Sequence, residues 1–86
     1  MHLILYSKPG CHLCTGLEEK LAQVTDPAFT LEVRDITTND AWFAQYEYTI
    51  PVLTTLHNGA EIPIPRFSAR ASVAQVAQML KKLSTT

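Results

Sequence analysis

The sequence has little of what marks several large classes of protein. It contains only two cysteines in 86 residues, too few for the disulfide framework of a small secreted domain. Seven Lys and Arg side chains face eight Asp and Glu, so there is no basic excess to bind a nucleic-acid backbone. No apolar run approaches the roughly 20 residues that span a bilayer. We therefore expect a protein that binds neither nucleic acid nor membrane.

The start of the chain also lacks the marks of a secretory signal. The short apolar run at residues 2–6 has no cationic segment before it and no small-residue cleavage site after it. A cytoplasmic location is the resulting expectation. With 47 % apolar residues the chain is not disordered by composition, and its length predicts a single domain over residues 1–86. We expect it to be a monomer.

Hydrophobic periodicity predicts seven elements of secondary structure. Strands are indicated by short apolar or alternating segments, and helices by apolar residues spaced by three and four. The last helix is preceded by the capping-box pattern Ser72 to Gln75. The predicted strands cover residues 2–6, 29–36, 51–56 and 60–64, and the predicted helices cover residues 11–23, 41–46 and 73–83.

The connections between these elements predict how the strands pair. The first strand–helix–strand unit should be parallel with a right-handed crossover. The Asn58-Gly59 turn should join the last two strands as an antiparallel hairpin, and Pro63 predicts that the fourth strand lies at an edge. The expected fold class is α/β, a four-stranded mixed sheet with three helices in the order β-α-β-α-β-β-α.

The two cysteines, Cys11 and Cys14, lie where the first strand hands over to the first helix. Side chains at i and i+3 of a helix are about 5–6 Å apart, close enough for a disulfide after modest adjustment. The unpaired N–H groups and positive dipole end of the first turn would stabilise a thiolate at Cys11 and lower its pKa below about 8.5. Because Cys14 falls on the apolar face of the helix, we expect Cys11 to be the nucleophile and Cys14 the resolving thiol.

The same cysteine pair has other uses in proteins. A Cys-x-x-Cys motif forms half of many zinc sites, but the chain has no second cysteine pair, and its three histidines lack the spacing of a zinc motif. We therefore predict no metal ligands and no bound cofactor. Two alternatives stay open: a module that holds a metal or a [2Fe–2S] cluster, and a redox-silent interaction domain.

Two segments carry a resemblance to a known family. Residues 6–14 read Tyr-Ser-Lys-Pro-Gly-Cys-His-Leu-Cys, and residues 49–53 read Thr-Ile-Pro-Val-Leu. With the element order, they resemble the thioredoxin superfamily and most of all its small glutaredoxin-like members. The resemblance implies a thioredoxin-like fold, a cis Ile50–Pro51 bond and a loop at this bond that faces the cysteines. It also implies that the backbone before the cis-proline pairs with an incoming peptide or glutathione. It also implies that Lys8 helps to hold a glutathione carboxylate and favours the thiolate.

The resemblance implies a thiol–disulfide oxidoreductase that reduces protein or glutathione mixed disulfides. Cys11 and Cys14 would be catalytic, and Lys8, Ile50 and Pro51 would bind substrate. Glutathione would be a co-substrate, and a thiol reductant such as glutathione or a thioredoxin reductase would restore the dithiol. Residues 62–68, however, read Ile-Pro-Ile-Pro-Arg-Phe-Ser where glutaredoxins carry a Gly-Gly-x-Asp-Asp-like stretch for the γ-glutamyl end of glutathione. The choice between glutathione and a protein disulfide therefore stays open.

The remaining charged and aromatic residues have structural interpretations. Trp42 and Tyr46 belong to an aromatic stretch that we assign to core packing with a partly exposed surface. Asp35 is assigned a helix-capping or loop role. Lys20 and Arg66 are assigned to the solvated surface.

Overall fold

The computed structural model describes residues 1–84, in which four strands form one sheet. The helices and strands confirm the predicted α/β class and its element order, and each observed boundary lies within one residue of the prediction. The last two residues of the predicted 1–86 domain lie outside the described residues. In chain order the elements are β1 (His2–Ser7), α1 (His12–Ala22), β2 (Thr30–Asp35), a 3₁₀ turn (Ile36–Thr38), α2 (Asp40–Tyr46), β3 (Val52–His57), β4 (Ala60–Pro63) and α3 (Val73–Ser84).

The sheet order is β2-β1-β3-β4, so β1 and β3 occupy the centre. β1 pairs in parallel with β2, as expected for strands that a helix connects, and β3 is antiparallel to both β1 and β4. The β3–β4 hairpin turns at Asn58 and Gly59, whose φ angles of 52° and 81° are those of a type I′ turn. The predicted mixed sheet, the hairpin and the edge position of the strand with Pro63 are confirmed.

Apolar side chains of β1 enter two clusters on opposite faces of the sheet, because successive residues of a strand point to opposite sides. Leu3 and Leu5 pack with α1 and α3, while Ile4 and Tyr6 pack with α2. β1 is therefore apolar at every position between its ends. The first cluster also contains Leu21, Leu53, Ile64, Val76 and Leu80, and the second also contains Ile36 with Trp42, Tyr46, Ile50 and Val52 packed against it.

The ends of the helical elements have the caps that the sequence predicts. The Oγ of Ser72 accepts from the Gln75 N–H at 3.1 Å, and Oε1 of Gln75 accepts from the Ser72 N–H at 2.8 Å, which completes the capping box of α3. Oδ1 of Asp35 accepts from the Thr37 N–H at 2.9 Å and caps the 3₁₀ turn, so the structural role predicted for Asp35 is confirmed. Across residues 1–84, no helix has the length and apolar character needed to cross a membrane.

Candidate active site

Cys11 and Cys14 form a disulfide at the start of α1, with their Cα atoms 5.3 Å apart. Cys11 is the N-cap residue, with extended backbone at φ −85° and ψ 102°. Its Sγ accepts a hydrogen bond from the Cys14 N–H at 3.2 Å. That N–H is one of the donors that an α-helix leaves unpaired in its first turn. The turn from β1 into α1 thus places the Cys11 sulfur at the positive end of the helix.

The two sulfur-bearing residues differ in their access to solvent. Cys14 is 2 % exposed and lies among the buried residues of α1, whereas Cys11 is half-buried. The preceding turn passes through Gly10, whose φ of 81° suits glycine, and the Cys11 N–H donates to the Lys8 carbonyl at 3.3 Å. Cys11 is therefore the more accessible of the two cysteines.

Lys8 lies in the turn that leads to the cysteines. Its side chain is exposed and borders a groove of about 250 Å³ that is also lined by Cys14, Glu18 and Asp35. Among residues 1–84 its ammonium group has neither a hydrogen bond nor an ion pair. Lys8 thus places a positive charge, without a bonding partner among residues 1–84, beside the cysteine pair.

The segment from Thr49 to Pro51 connects α2 to β3, and its Ile50–Pro51 peptide bond is cis. The Ile50 N–H donates to the Tyr46 carbonyl at 3.1 Å. Of the two backbone groups of Ile50, only the carbonyl is without a partner within the described part of the chain. A bound peptide would therefore meet an acceptor at Ile50 and no free donor.

Two cations that the sequence assigns to the solvated surface are bonded to the backbone. Arg66 is exposed as predicted, but its Nη1 donates to the Thr49 carbonyl at 2.5 Å and so holds the segment before Pro51. Lys20 is half-buried, and its Nζ donates to the Ala69 carbonyl at 2.8 Å, a bond that its assignment to the solvated surface did not predict. Both bonds tie the segment that leads to α3 to the elements around the cysteines.

An apolar groove that sequence analysis missed runs beside the cysteines. We call it the α1 groove, and its volume is about 290 Å³. One wall is the face of α1 that begins one residue after Cys11, and the other is the segment before α3. The groove also includes Pro51, so it brings a residue of the predicted substrate-binding set next to the first turn of α1. Its lining residues are His12, Leu13, Gly16, Leu17, Lys20, Pro51, Phe67, Ser68 and Ala69.

A charged network crosses the sheet on the side that packs against α2. The Tyr6 hydroxyl donates to Glu61 at 2.6 Å and accepts from Arg34 at 2.9 Å, and Arg34 also donates to Glu32. Burial, followed by the bond to Glu61, raises the pKa of Tyr6. The hydrogen bond from Arg34 lowers the pKa of Glu32. The guanidinium of Arg34 lies 5.0 Å from the centre of the Trp42 ring, which gives that aromatic residue the packing role predicted for it.

The side chains that could bind a metal ion do not form a cluster in the part of the chain that the structure describes. Over 1–84, no three His, Cys, Asp or Glu side chains lie close enough together to hold a metal ion.

Comparisons with known proteins agree with the observed fold. The model of the glutaredoxin-like domain (DUF836) matches residues 2–81. Thioredoxin 1 of Thermosipho africanus TCF52B is similar over 99 % of this chain and 96 % of its own, with 22 % identity and a TM-score of 0.67. A structural-genomics target protein of X. campestris shares 29 % identity over 93 % of this chain and 96 % of its own, with a TM-score of 0.64.

A malarial protein of known structure has 15 % identity, a TM-score of 0.66 and coverage of 94 % of this chain and 93 % of its own. No curated protein matches the sequence significantly. The similar structures confirm the thioredoxin-like fold.

Proposed function

The chain belongs to the glutaredoxin-like domain family, and we propose that it is a thiol–disulfide oxidoreductase that acts through Cys11 and Cys14. The proposal depends on the hydrogen bond from the Cys14 N–H to the Cys11 sulfur at the start of α1. In the reduced protein a Cys11 thiolate would accept this bond as an anion, and hydrogen bonds to ions are stronger than those to neutral groups. The helix dipole acts in the same direction. Both effects favour an ionised nucleophile.

The first step transfers the substrate to Cys11. The thiolate attacks one sulfur of a substrate disulfide, a bond forms between that sulfur and Cys11 Sγ, and the substrate's own sulfur–sulfur bond breaks. The departing sulfur leaves with the bonding electron pair and takes a proton from solvent. Lys8 favours the thiolate electrostatically, and the Ile50 carbonyl accepts an N–H from the substrate backbone beside Pro51.

The second step releases the substrate. Cys14 loses its proton and attacks the Cys11 sulfur, so that the intramolecular disulfide forms, the mixed disulfide breaks and the second substrate sulfur leaves as a thiolate. Two electrons have then passed from the dithiol to the substrate. The Cα separation of 5.3 Å lies within the range of about 4.4–6.8 Å that protein disulfides span.

The substrate is a protein disulfide or a glutathione mixed disulfide, and a thiol reductant must restore the dithiol. Glutathione and a thioredoxin reductase are the two reductant classes that we propose. Because a dithiol persists in a reducing compartment, we propose a cytoplasmic location. We also propose that the protein acts as a monomer and without a bound cofactor.

Two serine variants test the assignment of the two thiols. Cys14→Ser should accumulate a covalent adduct through Cys11 when it is mixed with oxidised glutathione or a disulfide-bonded protein, because the resolving step is lost. Cys11→Ser should form no adduct and show no exchange. Intact-mass spectrometry without reductant measures both outcomes. Full exchange activity in Cys11→Ser would contradict the proposal.

The visible spectrum of the protein purified without oxygen addresses the alternative of a cluster carrier. A [2Fe–2S] cluster absorbs visible light, whereas a dithiol does not. A colourless protein with stoichiometric free thiols is the expected result. A coloured protein whose iron and sulfide disappear in Cys11→Ser would favour the cluster alternative instead.

A further inference from the structure

Gly16 lies in the middle of α1, where neither its backbone conformation nor its neighbours require a glycine. Its backbone is helical, and a Cβ placed on it would meet nothing within 4 Å. Glycine inside a helix costs about 1 kcal/mol relative to alanine. The helix therefore gives up stability at a position that would accept a side chain. Gly16 lies in the wall of the α1 groove, where a side chain would take up open space.

The α1 groove is mostly apolar and is bounded at its far end. Leu13, Leu17 and Phe67 line it, and Leu13 remains 57 % exposed although it lies between the two cysteines. The bond between Lys20 and the Ala69 carbonyl joins the two walls at the far end. A volume of about 290 Å³ is at the lower limit of ligand pockets, which are about 300–1,000 Å³. It suits a bulky side chain better than a large cofactor.

The ionisable side chains that line the α1 groove are all basic. They are His12 and Lys20, both bases, and no carboxylate belongs to the lining. The acidic residues of α1, Glu18 and Glu19, are exposed and lie outside it. A ligand with an apolar group and an acidic neighbour would complement this arrangement.

We propose that the α1 groove binds a bulky apolar side chain of a polypeptide substrate, one or two residues from the cysteine that Cys11 attacks, with an acidic residue beyond it. This inference rests on the proposed oxidoreductase function. The groove begins at the residue after Cys11 and includes Pro51, and consecutive residues of an extended chain advance by about 3.3–3.6 Å. A cysteine bonded to Cys11 therefore brings its neighbours to the mouth of the groove.

Glutathione fits this site less well than a polypeptide does. It has no bulky apolar side chain, so it would leave Leu13, Leu17 and Phe67 uncovered even where its carboxylates met the basic lining of the groove. The inference thus assigns protein disulfides, rather than glutathione mixed disulfides, as the preferred substrates.

Short peptides test the assignment. Each has one cysteine joined by a disulfide to nitrothiobenzoate. Because nitrothiobenzoate is the better leaving group, Cys11 attacks the peptide sulfur and releases it, and the absorbance of the released nitrothiobenzoate follows that step. One peptide has Leu beside the cysteine and the other has Ser. The Leu peptide should react with a kcat/KM about tenfold higher or more, as expected for burial of one leucine side chain. Replacing a flanking Lys by Glu should raise the rate a few fold at low salt.

Variants locate the preference in the α1 groove. Gly16→Leu places a side chain in the open space and should reduce the Leu-to-Ser rate ratio to about one, whereas Gln78→Leu, which adds the same side chain to an exposed position of α3, should retain it. Because each protein is judged by a ratio, effects on the chemical step cancel. Leu13→Ser, at an exposed wall position, gives a second test that does not depend on the fit of a new side chain and should also lower the ratio.

The outcomes separate this inference from the function on which it rests. Equal rates for the Leu and Ser peptides, an unchanged ratio in Gly16→Leu and Leu13→Ser, or faster reaction of the glutathione–nitrothiobenzoate disulfide than of the Leu peptide would overturn the groove assignment. Equal rates for Glu and Lys flanks would overturn its acidic part. If wild-type protein and Cys11→Ser released nitrothiobenzoate from every probe at the same rate, the oxidoreductase function itself would fail.

Discussion

The ionisation of Cys11 in the reduced protein is the most direct prediction from the structure. The perturbation is Cys14→Ser, which leaves Cys11 as the single thiol. It also keeps the backbone N–H of residue 14, from which Cys11 Sγ accepts a hydrogen bond at 3.2 Å. A hydrogen bond to a charged group stabilises that group by about 1.5–3 kcal/mol. The dipole at the first turn of a helix stabilises an anion there by about 0.3–1 kcal/mol. These contributions overlap, because that N–H is part of the helix dipole. About 2 kcal/mol is a reasonable total.

That energy corresponds to about a thirtyfold change in the ratio of thiolate to thiol, since 1.36 kcal/mol is one pKa unit. The ultraviolet absorbance of the thiolate should therefore rise with a midpoint about 1.5 pH units lower in the folded variant than in the same variant in denaturant. The control is Cys11→Ser, whose Cys14 is 2 % exposed and should ionise at higher pH than a free cysteine, because burial disfavours the anion. A folded Cys11 midpoint equal to or above the denatured one would refute the reasoning.

Three further predictions concern the stability of the fold. Leu80→Ala, at a fully buried position, should lower the free energy of unfolding in urea by about 2–5 kcal/mol. Tyr6→Phe removes the hydroxyl that bonds Glu61 and Arg34 and should cost about 1–3 kcal/mol. Because the pKa of Tyr6 is raised above its ordinary 10.0, the folded protein keeps this proton longer than the unfolded chain, so stability should fall as pH rises above 10.0, less steeply in Tyr6→Phe. Because the pKa of Glu32 is lowered from 4.5, its contribution should be present above that pH and lost as pH falls through the folded value, and Glu32→Gln should flatten this acid limb of the unfolding curve.

The fold could be predicted closely because its signals are local. The apolar run of β1, the Asn58-Gly59 turn and the Ser72–Gln75 capping box each fix an element boundary through neighbouring residues. The position of Cys11 at the start of α1 is equally local, since it depends on a strand, a glycine turn and a helix in succession. Sequence reasoning therefore reached the cysteine pair and its geometry.

The charged network could not be predicted in the same way. Glu61 bonds to Tyr6, 55 positions away, because β4 follows β3 across the sheet and both residues lie on the face packed against α2. Periodicity assigns each of these side chains to a face, but it does not say which polar group lies opposite. The partner of Glu61 depends on strand order, which emerges only when all four strands are placed.

The same distinction separates the chemistry of the site from its choice of substrate. The Cys11–Cys14 pair is built from residues three apart, whereas the walls of the α1 groove are joined by the Lys20–Ala69 bond, across 49 positions. The segment before α3 that forms one wall has no periodicity from which its path could be inferred. Changes in that segment should therefore alter which disulfides are reduced and leave the exchange reaction itself intact, because no atom of the segment bonds to either sulfur in residues 1–84.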